Sequence, residues 1–231
     1  MILKRPGEYL RTGLRYRLRF LAASRAVRVI VPTQVVAADV ASRLDVDPSR
    51  IVVIGEAAAS AFRPRPGEEV ERARALYSLP EDYLVWVGGL EHNDPRKRVR
   101  ELAAAADGVP LVLVGPTKPW ATELPNVQLT GQVSDDELAA ILTGARALVF
   151  PSDDEGFGLP PVEALACGTP VVCTDIPALR EVLGDRATYA DFDDLLPTAW
   201  SVNGRPTSPL DRTWEDVARE TWAVYEAAAG V

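Results

Sequence analysis

Short apolar runs alternate along this chain with segments of helical periodicity, and glycine or proline residues separate them. Such runs, bounded by turn residues, are typical of buried strands, whereas apolar positions that recur every three or four residues indicate helices. The pattern predicts strands at residues 27–31, 51–54, 83–87, 111–114, 127–129, 147–150, 170–174 and 188–190. It predicts helices at residues 7–25, 35–44, 68–77, 98–106, 135–143, 160–167, 177–183 and 214–229, and a loop at residues 194–210.

The order of these elements is strand then helix, repeated, without the turn signals of β-hairpins. This order predicts an α/β fold in which helices cover both faces of a doubly wound parallel sheet. Parallel strands end at the same edge of such a sheet, and ligands bind in a crevice there. The loops that follow the strands contain glycine at residues 88–89, 115, 131 and 152–158. We therefore expect these loops to converge on one binding site.

Composition excludes several classes of function. The chain has 231 residues and a net charge of −8, which argues against general nucleic-acid binding. A single histidine and two cysteines, Cys167 and Cys173, argue against a transition-metal site built by the protein, and we predict no metal. Both cysteines are expected to be small buried groups in a reducing compartment. Because no membrane span or cleavable signal is evident, we expect a cytoplasmic location.

The first 28 residues depart from this acidic balance. They contain eight lysine or arginine residues and one acid, Glu8, which gives this segment a net charge of +7. The predicted helix at residues 7–25 places leucines on one face and arginines around it. Two interpretations stay open: the helix docks on its own domain, or it makes a peripheral contact with an anionic membrane surface, at the inner face of the membrane.

The segment at residues 147–175 reads as strand, loop, short helix and strand, and its loop carries candidate chemistry. Backbone N–H groups of Phe157, Gly158 and Leu159 lie at a helix start, which favours an anion such as phosphate. Glycines at 156 and 158 allow close approach of a ligand. Carboxylates of Glu155 and Glu163 suit a ligand rich in hydroxyl groups. These features fit a nucleotide-sugar site, and they also fit an acidic surface loop with a helix cap.

The string EGFGLPPVEALACGTPVV in this segment resembles the E-x7-E signature of the retaining GT-B glycosyltransferases of family 4. This resemblance implies that Glu155 is a catalytic residue that contacts the donor sugar. It implies that Glu163 contacts the ribose of the nucleotide. Backbone groups of Gly156, Phe157, Gly158 and Leu159 would contact the sugar or the diphosphate.

A second string, GGLEHNDPRKR at residues 88–98, resembles the first βα loop of the same family. The resemblance implies that Gly88 and Gly89 line the donor site. Lys97, the second catalytic residue, would neutralise the donor diphosphate with Arg96 beside it. From the residues alone, a solvated basic turn is the alternative. The resemblance also implies that the turn containing Gly131 and Val133 lies against the nucleotide base.

The resemblance implies three parts in the chain. Residues 1–62 would be a remnant of an N-terminal acceptor domain, ordered helix, strand, helix, strand. Residues 63–80 would be a linker and a first helix. Residues 81–231 would form a nucleotide-sugar-binding domain, the Rossmann-like C-terminal half of a GT-B fold, ending in a helix.

The implied reaction transfers a sugar from a GDP- or UDP-linked donor to an acceptor hydroxyl with retention and without a cofactor. The acceptor would be a glycan or a lipid-linked molecule. Because so little of the acceptor domain is present, we expect weak or no activity from this chain alone, and a homodimer or a partner chain is expected to cover its apolar faces. Two alternatives stay open, a non-catalytic nucleotide-sugar-binding module and a sugar epimerase of related fold.

Overall fold

Strands and helices alternate through residues 21–202 and 209–230, which are the residues that this computed structural model describes. The strands are β1 (Val29–Val31), β2 (Ile51–Val53), β3 (Leu84–Val87), β4 (Leu111–Val114), β5 (Val127–Gly131), β6 (Ala147–Phe150), β7 (Val171–Cys173) and β8 (Thr188–Tyr189). The helices are α1 (Gln34–Leu44), α2 (Gly67–Tyr77), α3 (Val99–Ala105), α4 (Pro119–Thr122), α5 (Asp135–Gly144), α6 (Leu159–Ala166), α7 (Pro177–Leu183), α8 (Leu195–Ser201) and α9 (Trp214–Ala229).

Two compact units divide the described residues. The larger contains residues 58–154, 158–202 and 209–211, and the smaller contains residues 21–57, 155–157 and 212–230. The sequence-based division into residues 1–62, 63–80 and 81–231 followed the chain from end to end. The compact units differ from it because residues 155–157 and the final helix group with the N-terminal part of the chain.

The larger unit is built on a six-stranded parallel sheet with the strand order β5-β4-β3-β6-β7-β8. The strand order reverses between β3 and β6, which makes their carboxyl ends the topological switch point of the sheet. Every residue of β3, β4 and β6 is buried, as expected for strands covered on both faces. The predicted doubly wound α/β fold is thereby confirmed.

Successive side chains of β3 point to opposite faces of the sheet, and different helices cover the two faces. Leu84 and Trp86 belong to an apolar cluster that includes residues of α3 and α8. On the other side, the Tyr83 hydroxyl donates to the carbonyl of Ile141 in α5 over 2.6 Å. This two-sided burial fixes the sheet edge on which the candidate site lies.

The predicted helix boundaries around the site agree with the structure to within one residue at each end. Ser134 and Glu137 form the predicted capping box at the start of α5. Helix α6 ends at Ala166 with Cys167 as its C-cap, and Gly168 has the left-handed φ of 75° that the sequence predicts after a helix end. Both cysteines are free and buried, and burial raises the pKa of each thiol to about 12. The cysteines are therefore small buried groups, as predicted.

The prediction of a loop throughout residues 194–210 is wrong, because α8 occupies Leu195–Ser201. Pro197 lies in the first turn of this helix, where a missing N–H group costs no intrahelical hydrogen bond. Leu195, Leu196 and Ala199 are buried against the sheet. Proline was read as a helix breaker here, although its position in the first turn permits a helix.

The smaller unit contains β1 and β2, which pair in parallel, and α1 packed on them through a small apolar cluster. Thr33 caps α1 as predicted, since its side chain accepts a hydrogen bond from the Val36 N–H. Residues 21–25 are helical, whereas most of the predicted helix at residues 7–25 lies outside the described residues. Large exposed apolar side chains concentrate in this unit, namely Leu21, Val27, Trp214, Trp222 and Tyr225.

Among the described residues, no helix combines the length and the apolar character that a membrane crossing requires.

Candidate functional site

Three glycines meet where β3, β4 and β5 end. The Gly88 N–H donates to the Val114 carbonyl over 3.0 Å, and the Gly115 N–H donates to the Gly131 carbonyl over 3.0 Å. Gly115 has a φ of 144°, and a Cβ atom added to it would lie 2.0 Å from the carbonyl oxygen of Gly88. The close approach of these loops therefore requires glycine at 115. The structure brings the predicted site residues Gly88 and Gly131 to one edge of the sheet.

Lys97 ends a short 3₁₀ turn, Pro95–Lys97, which the Asp94 side chain caps. A Cβ atom added to Gly88 would lie 3.4 Å from the Nζ atom of Lys97. The ammonium therefore stands beside Gly88, which directly follows β3. Its Nζ atom makes no ion pair within residues 21–202 and 209–230, and it lies 5.8 Å from the centroid of the Trp86 ring.

Arg96 differs from Lys97 in its electrostatic partners. Its Nε atom lies 3.1 Å from Oδ1 of Asp94, and its Nη2 atom lies 2.5 Å from Oδ2 of the same carboxylate. A second carboxylate, Asp154, lies 4.0 Å from Nη1. These two acids already compensate the guanidinium charge. Of the two predicted cations, Lys97 is the one whose charge is uncompensated among the described residues.

The loop after β6 is tied to the turn that carries Lys97. The Asp153 N–H donates to the Arg96 carbonyl over 2.9 Å, and Arg98 pairs with the Asp153 carboxylate at 3.4 Å. The preceding residue, Ser152, is fully buried, and its hydroxyl has no hydrogen-bond partner in the described part of the chain. Strand periodicity gave no signal for these cross-loop contacts, because they join residues more than fifty positions apart.

Residues 155–157 belong to the smaller unit. The Thr33 hydroxyl, which also caps α1, donates to the Gly156 carbonyl over 2.9 Å. Phe157 is buried, and its ring lies 3.5 Å from the position that a Cβ atom on Gly55 would take. The backbone after Glu155 is therefore fixed by side chains that sequence analysis did not assign to the site.

Gly158 and the helix that follows belong to the larger unit. Gly158 has a φ of 95°, and a Cβ atom there would lie 2.8 Å from Cδ2 of Leu179. Only glycine fits this position without strain. Pro160 and Pro161 then occupy the first turn of α6, as predicted, where the N–H groups have no intrahelical partner. The N–H group of Leu159 is thus at the start of the helix.

Glu163 is half-buried on α6, and its carboxylate makes no hydrogen bond within the described residues. Desolvation by burial, with the negative charge of Asp135 as a second cause, raises the pKa of Glu163 to about 7. Asp135 begins α5, directly after the turn that contains Gly131 and Val133. The helices α5 and α6, which carry Asp135 and Glu163, contact each other, and the turn predicted to contact the base directly precedes α5.

No group of three or more histidine, cysteine, aspartate or glutamate side chains is placed to hold a metal ion in the part of the chain that the structure describes. The cation, the glycine-lined strand ends and the half-buried carboxylate instead provide groups that suit an anion and hydroxyl groups.

Comparison with known proteins identifies relatives of this chain. A family model described as "Glycosyl transferases group 1" matches residues 81–199. The chain is 30% identical over 188 residues to O-antigen chain mannosyltransferase B of Escherichia coli, covering 73% of this chain and 48% of that protein. It is 35% identical over 188 residues to the MMP alpha-(1->4)-mannosyltransferase of Mycolicibacterium hassiacum, covering 72% of this chain and 46% of that protein.

Among solved structures, sucrose-phosphate synthase from Thermosynechococcus elongatus matches with a TM-score of 0.70 at 23% identity, covering 94% of this chain and 62% of that chain. This likeness confirms the predicted fold class. The chain spans about half the length of the curated relatives it matches.

The raised pKa of Glu163 predicts a pH dependence of stability. The folded state holds this proton up to a pH of about 7, whereas the unfolded state releases it near the ordinary value of 4.5. The stabilising contribution is therefore complete below about pH 4.5 and is lost as the pH rises to about 7. Relative to Glu163→Gln, the wild-type free energy of unfolding should fall by about 1–3 kcal/mol over this range.

Urea denaturation of both proteins at several pH values measures this difference. In Asp135→Asn the fall should end at a lower pH and be smaller, because the like charge that helps to raise the folded-state pKa is gone. Parallel stability profiles for wild type and Glu163→Gln would contradict the assignment of Glu163 to a desolvated environment.

Proposed function

Because this chain belongs to the glycosyl transferases group 1 family, we propose that it binds a nucleoside diphosphate sugar and supplies the donor site of a retaining glycosyltransferase. The observation that carries this proposal is the position of Lys97. Its ammonium stands beside Gly88 at the switch point of the sheet, where it is not compensated by a carboxylate of the described residues. An anionic ligand at this edge would supply the missing negative charge.

The diphosphate would bind at the carboxyl ends of β3 and β4. Sugar transfer leaves negative charge on the departing diphosphate, and preorganised donors lower the barrier by stabilising that charge. Lys97 would supply a full positive charge, and the N–H groups of Gly158 and Leu159 would add the dipoles of a helix start. Gly88 and Gly89 would let the phosphates approach the backbone. With these groups in place, the proposed reaction needs no metal.

The nucleoside would be held by the other side of the donor site. Glu163 would accept hydrogen bonds from the ribose hydroxyls, for which its carboxylate is free within the described residues. Gly131 and Val133 would contact the base, and Glu155 would contact the sugar. Two relatives are named as mannosyltransferases, so GDP- and UDP-linked mannose are the donors to test first.

Lys97→Ala tests the diphosphate site. The substitution should weaken binding of GDP or UDP by about 1.5–3 kcal/mol, the range for a hydrogen bond to a charged group, and should leave binding of the bare nucleoside unchanged. Calorimetry with EDTA present measures both ligands and tests metal independence. Arg96→Ala is the matched control, with a smaller effect because Asp94 and Asp154 already hold its charge.

No binding of any nucleoside diphosphate to folded wild-type protein would contradict the proposed function. Equal weakening of nucleoside and diphosphate by Lys97→Ala would show that Lys97 supports the fold and does not contact the diphosphate.

Substitution of Glu163 and of Glu155 should weaken the binding of different sets of ligands. Glu163→Ala should weaken binding of nucleoside, diphosphate and nucleotide sugar alike, because the ribose is common to all three. Glu155→Ala should weaken only the sugar-bearing ligand, and each loss should be about 1–3 kcal/mol. Titration of each variant with GDP and GDP-mannose, or with the UDP pair, measures the difference. A loss of bare diphosphate binding in Glu155→Ala equal to the loss of nucleotide-sugar binding would contradict the assignment of Glu155 to the sugar.

Transfer by this chain alone should stay near background. An acceptor hydroxyl must be positioned and water excluded, and the smaller unit offers a two-stranded sheet with a small core for that purpose. The exposed side chains of Trp214, Trp222 and Tyr225 should favour self-association or a partner. Light scattering and a donor-hydrolysis assay measure both expectations, and rapid transfer by a monodisperse monomer would contradict them.

A peripheral membrane contact through residues 7–25 stays a prediction.

A further inference from the structure

We propose that Trp86 is a positioning residue, whose indole holds the Lys97 ammonium free for the diphosphate. This inference deepens the proposed function and rests on it, because the ligand of Lys97 is the proposed diphosphate. Trp86 itself is 1% exposed and would not touch the donor. Its effect would reach the ligand only through Lys97.

The geometry that carries the inference is the space beside Gly88. A Cβ atom added to Gly88 would lie 2.7 Å from Cη2 and 2.9 Å from Cζ2 of Trp86, and 3.4 Å from Nζ of Lys97. The six-membered ring of the indole and the ammonium thus share one side of the strand end. The Nζ atom lies 5.8 Å from the ring centroid, within the range of a cation–π attraction.

The buried indole N–H of Trp86 supports a role beyond core filling. It has no hydrogen-bond partner among the described residues. Burial of an unpaired donor destabilises the folded state, and phenylalanine would fill much of the same apolar space without that cost. Phenylalanine would, however, lack the Cη2 and Cζ2 atoms that reach Gly88. The feature specific to tryptophan here is the part of the ring beside Lys97.

The contact with the Trp86 indole also explains how Lys97 keeps an uncompensated charge in an acidic loop. Asp94 precedes the turn in sequence, and the Asp153 backbone is hydrogen-bonded to the Arg96 carbonyl within it. The carboxylate of Asp94 pairs with Arg96, and that of Asp153 pairs with Arg98. A carboxylate on Lys97 would have to be displaced before a phosphate could bind. The face of an indole attracts a cation without competing for its N–H donors in this way.

The test is a double-mutant cycle read with two ligands. Trp86→Phe should weaken GDP or UDP binding about three- to tenfold, the effect of losing a partly desolvated cation–π contact, and should leave nucleoside binding unchanged. In a Lys97→Ala background the same substitution should have no further effect on either ligand. A structural role would instead weaken nucleoside and diphosphate alike, and the loss would persist without Lys97; either result would overturn the proposal.

Trp120→Phe is the matched control. The Trp120 indole N–H is also buried without a partner in the described residues, and Arg100 lies 5.1 Å from its ring centroid. Neither residue belongs to the proposed donor site. This substitution removes the same chemical groups from the same apolar cluster, and it should change binding of either ligand by less than about twofold.

A second readout needs no ligand, so it separates failure of this inference from failure of the proposed function. The chain has three lysines, Lys4, Lys97 and Lys118, and reductive ¹³C-methylation labels each one while keeping its charge. The Lys97 signal, assigned with Lys97→Arg, should be shifted upfield by the indole ring in wild type. It should move toward the position of the other two in Trp86→Phe.

An unshifted Lys97 signal in wild type would overturn the proposal, and so would a signal that Trp86→Phe leaves in place. If Trp86→Phe does not fold, Gly88→Ala serves instead. An added methyl group there must displace the indole or the ammonium, so the Lys97 signal should change.

Discussion

The pairing of β3 with β6 is the constraint on which the rest of the larger unit depends. It is the point at which the order of the sheet reverses, and in doubly wound sheets ligands bind outside the carboxyl ends of the strands at this point. The turn that carries Lys97 follows β3, and the loop that contains Asp153 follows β6. A backbone hydrogen bond from the Asp153 N–H to the Arg96 carbonyl joins the two segments. Because that bond uses main-chain atoms, it fixes the loop positions without a demand on side-chain type.

The charge distribution around these strand ends follows from which side chains the acidic residues pair with. A chain with a net charge of −8 repels anions on average, so an anion site requires local compensation. Arginines at 96 and 98 neutralise the aspartates beside the site, and in doing so they lose their own availability. Under the proposed function, the favourable field for a diphosphate would depend on the Lys97 ammonium, which is held apart from those acids, and on the glycine-lined strand ends beside it.

Much of this arrangement could be predicted from local patterns. The capping box at Ser134, the left-handed glycine at 168 and the prolines that open α6 depend on a few neighbouring residues, and each was predicted. Helix α8 was missed because the position of a proline within a helix decides its effect, and the sequence pattern did not show where that helix begins.

Contacts between distant segments could not be predicted in the same way. The approach of Lys97 to Trp86, the close fit of Gly115 against Gly88 and the effect of Asp135 on Glu163 each depend on which strand ends meet. Hydrophobic periodicity gives the number and kind of elements but not their order across a sheet. The resemblance of the two strings to a family supplied candidate residues, and the geometry around Arg96 then distinguished it from Lys97.

The two glutamates of the EGFGLPPVE string belong to different compact units, and these units differ in how much structure stabilises them. Glu163 stands on a helix of the larger unit, whose sheet has six strands and buried central members. Glu155 belongs to the smaller unit, where β1 and β2 form a two-stranded parallel sheet. Parallel sheets are normally covered on both faces and contain more strands, so the smaller unit has less to stabilise it. Nucleoside binding should therefore be the more robust property, and recognition of the sugar should be more sensitive to changes that destabilise the smaller unit.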